Sequence, residues 1–195
     1  LLGGCRAALS SYLSSPSSFL PSCRVMGILC LGLNHQTAPV EIRELFAVAE
    51  AQLGEHAGQL CEVEGIEESV VLSTCNRTEY YAAAVDCGFA SDQLRSFLQS
   101  QAGSRLSVEH LYEKQQGEAA RHLCRVVSGI DSMVVGEPEI FGQVKKAYQA
   151  ALEKGSTSRS LNQLFQKAFG IGKKVRTDTG IQQGQTSVGS VAVDL

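Results

Sequence analysis

The sequence predicts an α+β fold. Three observations carry the prediction: segments run strand–helix–strand–strand–helix–strand over roughly the first 115 residues, consecutive helices follow, and the alternation is too loose for a doubly wound parallel sheet. A chain of 195 residues can bury one ordinary core and a second small unit. The formal charge of −3 excludes a globally basic nucleic-acid binder while leaving room for a local basic face. No stretch approaches eighteen apolar residues, which argues against a membrane-spanning helix.

Gly27 to Leu33, "GILCLGL", reads as a buried strand, and Pro39 in the stretch after it excludes a central strand or a helix interior there. Leu45, Val48, Ala49, Leu53 and Ala57 have helical spacing, which predicts a helical region from about Glu41 to Gln59. Val70–Ser73 and Glu79–Val85 read as two strands around a thiol loop, followed by a short helix over Ser91–Gln101 with Ser91 as N-cap. His110–Lys114 reads as a further strand and Gly117–Gly129 as a helix with Ala119, Ala120, Leu123, Val126 and Val127 inward. After the loop "GIDSMVVGEPE", Pro138 suits the first turn of a helix that presents Ile140, Phe141, Val144, Ala147, Tyr148, Ala151 and Leu152 on one face and ends near Gly155. Leu161 to about Val175 is another helix, and "QTSVGSVAVDL" begins one more.

The seven cysteines include no CxxC pair and no zinc-like spacing, so free thiols in a reducing compartment are the simplest reading. Residues 1–25 are serine-rich with two arginines and no acid. That composition suits either an organelle transit peptide or a non-native extension ahead of Met26.

The stretch "VVLSTCNRTEYY", Val70–Tyr81, places a thiol between two strand-like runs. Cys75 can be a nucleophile there, because Arg77 supplies positive potential favouring a thiolate and Thr74 and Asn76 supply hydrogen bonds for a developing oxyanion. Spacing by itself fits a half-buried turn cysteine at least as well. His122 is a candidate acid–base partner at the border of its helix's apolar face, where a structural histidine is the plainer account. His35, His56 and His110 are weaker candidates, and a surface or turn role suits His35. Glu137 and Glu139 flank Pro138, where carboxylates can do acid–base work or simply favour a helix start. Lys154, Arg159, Lys167, Lys173, Lys174 and Arg176 form a basic strip that could meet phosphates or simply be solvated. "FGIGKK" satisfies neither the GxGxxG nor the GxxxxGK[ST] pattern, so no dinucleotide-binding loop is recognisable.

Four blocks together resemble the glutamyl-tRNA reductase family: "GLNHQTAPVEIRE", "VVLSTCNRTEYY", "AARHLCRVVSGIDSMVVGEPEIFGQVKKAYQAA" and "LFQKAFGIGKKVRTDTGI". They occur in the family's order and span nearly all of Met26 to Leu195. The resemblance implies a ferredoxin-like catalytic domain over 26–180 and the start of a long spinal helix over 181–195, with NADPH-binding and dimerisation domains absent from this chain. It implies attack of a cysteine thiolate on glutamyl-tRNA, a glutamyl thioester, and reduction by NADPH to glutamate-1-semialdehyde for tetrapyrrole synthesis. Cys75 falls on the nucleophile and His122 on a histidine important for activity. Thr74, Asn76 and Arg77 fall on the glutamyl-binding loop, with Arg77 as a fork for the substrate carboxylate, and Ser132, Glu137, Pro138 and Gln143 on further substrate-binding positions. After Pro138 the family usually has Gln, and Glu139 departs from it. The implied partners are glutamyl-tRNA, a second copy in a homodimer, and an aminomutase receiving the product, with no membrane. The implied location is cytoplasmic, or the plastid stroma if residues 1–25 are a transit peptide. The rivals are a noncatalytic tRNA-binding or regulatory module, and a general thiol acyl-transferase or hydrolase. Intact Cys75, Arg77 and His122 favour the reductase.

Overall fold

The computed structural model describes residues 25–181; the expected extension, apart from Val25, and the expected spinal-helix start, apart from Ile181, lie outside the described residues. Strands β1 (Gly27–Asn34), β2 (Glu68–Ser73), β3 (Arg77–Ala84) and β4 (Tyr112–Gln115) form one sheet in the order β2-β3-β1-β4. Every neighbouring pair is antiparallel. The helices are α1 (Val40–Leu45), α2 (Leu53–Leu60), α3 (Cys87–Ala102), α4 (Gln116–Ser128), α5 (Glu139–Lys154) and α6 (Arg159–Asp178). β1 and β2 flank β3, and β3 and β4 flank β1, so each helical crossover skips one strand. The α+β class holds.

All eight residues of β3 are buried, because helices cover both faces of the sheet. On one face Tyr81 meets Phe165 of α6 edge-on with ring centroids 5.5 Å apart, and Glu79 meets His122 of α4. On the other, Ser69 donates to the Ala57 carbonyl of α2, and Glu113 accepts from Ser91 and Arg95 of α3. The later helices therefore pack back onto the sheet and share its core. Among the described residues no helix is long and apolar enough to cross a membrane.

Several boundaries move, each for a local reason. The predicted helix over 41–59 divides into α1, a 3₁₀ turn at Glu50–Gln52 and α2. The helix predicted from Ser91 begins at Cys87, because Asp86 caps it by accepting from the Phe89 amide at 3.0 Å. Ser91 is instead buried and donates to Glu113 at 2.6 Å. β3 starts at Arg77 rather than Glu79, so Arg77 belongs to the sheet and not to the loop.

The free edge of β2 is closed by the α5–α6 connection. The Ser69 amide donates to the Ser156 carbonyl at 2.8 Å, which pairs an edge that would otherwise be open. Next to it Glu68 is buried and accepts from the amides of Ser158, Ser160 and Leu161 at 2.8, 2.9 and 2.9 Å. A strand carboxylate thus serves the orphan donors and positive dipole end of α6. Glu68→Ala should cost about 2–3 kcal/mol in urea unfolding, since buried amides lose a charged acceptor. Glu68→Gln should cost visibly less, and an Ala variant as stable as the parent would remove Glu68 from this role.

Candidate active site

The thiol loop is a tight turn between β2 and β3. The Thr74 amide donates to the Arg77 carbonyl at 2.8 Å, and the Thr74 hydroxyl accepts from the amides of Asn76 and Arg77, both at 3.2 Å. These bonds leave Cys75 at the tip, exposed, with Asn76 half-buried beside it. The Thr74 hydroxyl is engaged inside the turn. Two groups brace the loop, one from the β1–α1 connection and one from α1: the His35 amide donates to the Asn76 carbonyl at 2.9 Å, and Arg43 Nη1 donates to the Cys75 carbonyl at 2.6 Å.

Beneath the loop lies a buried ionic network centred on Glu79, which is 0% exposed. Its Oε1 accepts from Arg77 Nη1 at 2.8 Å and from the Tyr112 hydroxyl at 2.6 Å, and lies 2.9 Å from His122 Nε2; its Oε2 accepts from the Tyr81 hydroxyl at 2.6 Å. Burial by itself would push the Glu79 carboxyl up. The His122 hydrogen bond and the charges of Arg77 and His122, with the Tyr112 hydrogen bond, outweigh it and hold the group down at about 2. Burial and then the Glu79 charge push the Tyr112 and Tyr81 phenols up, so both remain donors.

The sheet register builds this network. Gly32 of β1 stands opposite Glu79 on one side and opposite Tyr112 on the other. A Cβ there would fall 2.9 Å from Glu79 Cγ and 3.0 Å from the Tyr112 hydroxyl, so the missing side chain lets the phenol reach across β1 to the carboxylate.

Arg77 also donates, through Nη2, to the Asp131 carbonyl in the loop after α4. Its side chain is 2% exposed. The fork expected to stand open to a substrate carboxylate is therefore turned inward in this structure, where it ties the thiol hairpin to the 129–138 loop. His122 lies between two carboxylates, with Nδ1 3.6 Å from Asp131 Oδ2, and Arg125 holds Asp131 in turn at 2.6 Å.

A cleft of about 670 Å³ opens over this network, lined by Asn34, Gln36, Tyr112, His122 and Ser132 among others. The Ser132 hydroxyl is enclosed and has no hydrogen-bond partner among the described residues. Glu137 and Pro138 are reached through their carbonyls, which accept from Arg176 of α6 at 3.0 and 3.3 Å. Glu139 is the exposed first residue of α5, and Gln143 is half-buried one turn later. Gly136, at φ +84°, needs its bare backbone, since a Cβ would collide with the Ile181 carbonyl. The structure thus brings His122 and Ser132 to the cleft and Cys75, Thr74, Asn76 and Arg77 to the hairpin above the network. Among the described residues, no hydrogen bond joins Glu137, Pro138, Glu139 or Gln143 to the hairpin.

Two of the six residues of the basic strip are engaged, and Arg159, Lys167, Lys173 and Lys174 stay exposed on α6. Lys154 pairs with Glu55 at 2.7 Å, and Arg176 faces the 137–138 carbonyls and the Phe141 ring. His110 caps its own 3₁₀ turn by accepting from the Ser107 amide at 3.1 Å. Sequence reasoning missed Glu79, Tyr112, Asp131 and Arg43. Glu79 was legible: with a strand starting at Arg77, the pair at i and i+2 lies on one face. Asp131 and Arg43 had no signal, because only folding brings them to the site.

Residues 31–179 match the family model described as "Glutamyl-tRNAGlu reductase, N-terminal domain". A glutamyl-tRNA reductase of Akkermansia muciniphila is 53% identical over 171 residues, covering 87% of this chain and 50% of that protein. One of Stenotrophomonas maltophilia is 48% identical over 170 residues, covering 87% of this chain and 38% of that protein. The solved glutamyl-tRNA reductase from Methanopyrus kandleri superposes with a TM-score of 0.69 at 35% identity, over 86% of this chain and 38% of that one. The chain spans half or less of the length of these relatives.

Proposed function

The chain belongs to the glutamyl-tRNA reductase N-terminal domain family, and from that premise we propose that it performs the acyl-transfer half of the reductase reaction on glutamyl-tRNA. The observation that carries the proposal is an exposed thiol, Cys75, at the tip of a hairpin whose carbonyls are held by the His35 amide and by Arg43. The Cys75 sulfur attacks the ester carbonyl joining glutamate to the tRNA 3′ end. A C–S bond forms, the ester C–O bond breaks, and the tRNA leaves with its 3′ oxygen. Asn76 beside the thiol is the side-chain donor for the developing oxyanion.

Thr74 shapes the turn, and Arg77 couples it to the network below. The unpartnered Ser132 hydroxyl supports a substrate contact, with Glu137, Pro138, Glu139 and Gln143 assigned to further substrate positions by resemblance. His122 lines the cleft and is assigned to the reaction. The strand order β2-β3-β1-β4 with two strand-skipping crossovers supports the ferredoxin-like reading.

In this reading the whole reductase takes hydride from NADPH to release glutamate-1-semialdehyde for tetrapyrrole synthesis. The described residues do not fit that cofactor: their sheet is wholly antiparallel and offers no glycine-rich turn from a parallel strand into a helix. No residue described here is assigned to it. The domain division at 26–180 and 181–195, the homodimer and the handover to an aminomutase rest on the resemblance. A cytoplasmic location rests on the bacterial relatives.

The test is to mix the purified chain with tRNA charged with labelled glutamate. Label should move from tRNA to protein and be released by hydroxylamine, as a thioester is. A folded chain that leaves the charged tRNA untouched would overturn the proposal.

A further inference from the structure

We propose that the exposed face of α6 seats the backbone phosphates of the tRNA whose 3′ end reaches Cys75. The proposal rests on the acyl-transfer reading above. Residues 154–177 contain no acid, in a chain whose formal charge is −3. Arg159, Lys167, Lys173 and Lys174 are all exposed on α6. At 1.5 Å and about 100° per residue they span about 22 Å of helix within one arc of about 120°. Gln163, Gln166 and Gly170 fill the same arc and are exposed too. The buried Leu161, Phe165, Ala168 and Gly172 occupy the opposite side.

A solvated helix face commonly gives its cations carboxylates three or four residues away. Here only Lys174 has one, Asp178, and among the described residues none of the four cations has a carboxylate within 4.0 Å. Like charges gathered on one arc repel one another. A line of phosphates neutralises them and releases its own condensed counterions. No aromatic side chain lies on the arc, so the face suits phosphates and not stacked bases.

The helix is also placed to receive the strand behind the 3′ end. Its first turn is held by Glu68 at the start of β2, and β2 runs from there towards the thiol turn. Its last turns reach the loop beside the cleft, where Arg176 donates to the Glu137 and Pro138 carbonyls. The same loop supplies the Asp131 carbonyl to Arg77 of the hairpin and brings Ser132 to the cleft. Lys173 and Lys174 lie within one turn of Arg176, and Arg159 lies at the far end. A strand whose end enters the cleft can therefore lay its earlier phosphates along α6.

The experiment titrates uncharged tRNA into the purified chain at several salt concentrations. It reads binding without acyl transfer. Charged tRNA that binds through α6 without passing its glutamate to Cys75 would sink the acyl-transfer reading and leave this one standing. Lys167→Ala/Lys173→Ala should weaken binding by roughly 30-fold at about 0.1 M salt and lower the slope of log affinity against log salt by about two. Alanine suits an exposed helix position, so the fold should be kept. Lys167→Arg/Lys173→Arg keeps both charges and should stay within about threefold of the parent. Arg105→Ala removes a cation from the turn after α3 and should leave affinity and slope as in the parent. A parent whose tRNA binding ignores salt would overturn the proposal, and so would a loss in Arg105→Ala as large as in the alanine pair. An alanine pair with the parental affinity and slope would overturn it too, and would leave the face to an acidic protein surface.

Discussion

Cys75→Ser is expected to abolish glutamyl transfer, by roughly 1,000-fold or more, while leaving the fold intact. A serine hydroxyl is far less ionised than a thiol at neutral pH and needs a stronger base to attack an ester. The fold should not notice. The Cys75 side chain is exposed, and the bond that fixes its position comes from Arg43 to the backbone carbonyl, which the substitution keeps. The check is labelled adduct formation from charged tRNA alongside a thermal melt. A serine variant that traps the glutamyl group at the parental rate would remove Cys75 from the chemistry. Loss of both adduct and fold would contradict the placement of Cys75 at an exposed tip.

Glu79→Ala is expected to be the most destabilising single change, at about 3–5 kcal/mol. The carboxylate is fully buried and partners Arg77, Tyr81, Tyr112 and His122. Removing it leaves a buried guanidinium without its countercharge and two phenols without an acceptor. The ion pair's own net worth is smaller, because burying both charges has its own cost. The large number is the penalty for an uncompensated charge.

Glu79 also sets an acid limb. Its folded value of about 2 lies below the ordinary 4.5, so its stabilisation is fully present above pH 4.5 and is lost as pH falls towards about 2. The contribution is on the order of 3 kcal/mol. In Glu79→Gln the stability lost between pH 5 and pH 2 should shrink by about that amount. Urea unfolding at successive pH values measures it, and parallel curves for parent and variant would show that another carboxylate governs the limb.

Much of the frame is legible in the sequence. The strand and helix order follows from hydrophobic periodicity, and the β2–β3 hairpin with Cys75 at its turn follows from two apolar runs broken by "STCN". The apolar face of α5 and its end at Gly155 were equally plain, since periodic burial and a left-handed cap are written locally, although Leu152 at the edge of that face is exposed. The start of β3 was not. Arg77 and Glu79 are charged, and a charge pair reads as solvent-facing until α4 is known to close over it.

What the sequence by itself determined is the four strands, the order in which strands and helices follow, the turn that carries the thiol, and the family. Each of these depends on neighbours in the chain. What only the tertiary structure decided is how those elements meet. Glu68 of β2 caps α6 across 90 residues of chain, Arg77 reaches the Asp131 carbonyl, Tyr112 crosses Gly32 to Glu79, and Arg43 and His35 grip the thiol loop. These contacts join residues far apart in sequence, and nothing in local propensity distinguishes a charge that will be buried and paired from one that will stay in water. The physical reason is that a buried charge is tolerable only with its partners in place, and those partners arrive only when the sheet and both helical layers have closed.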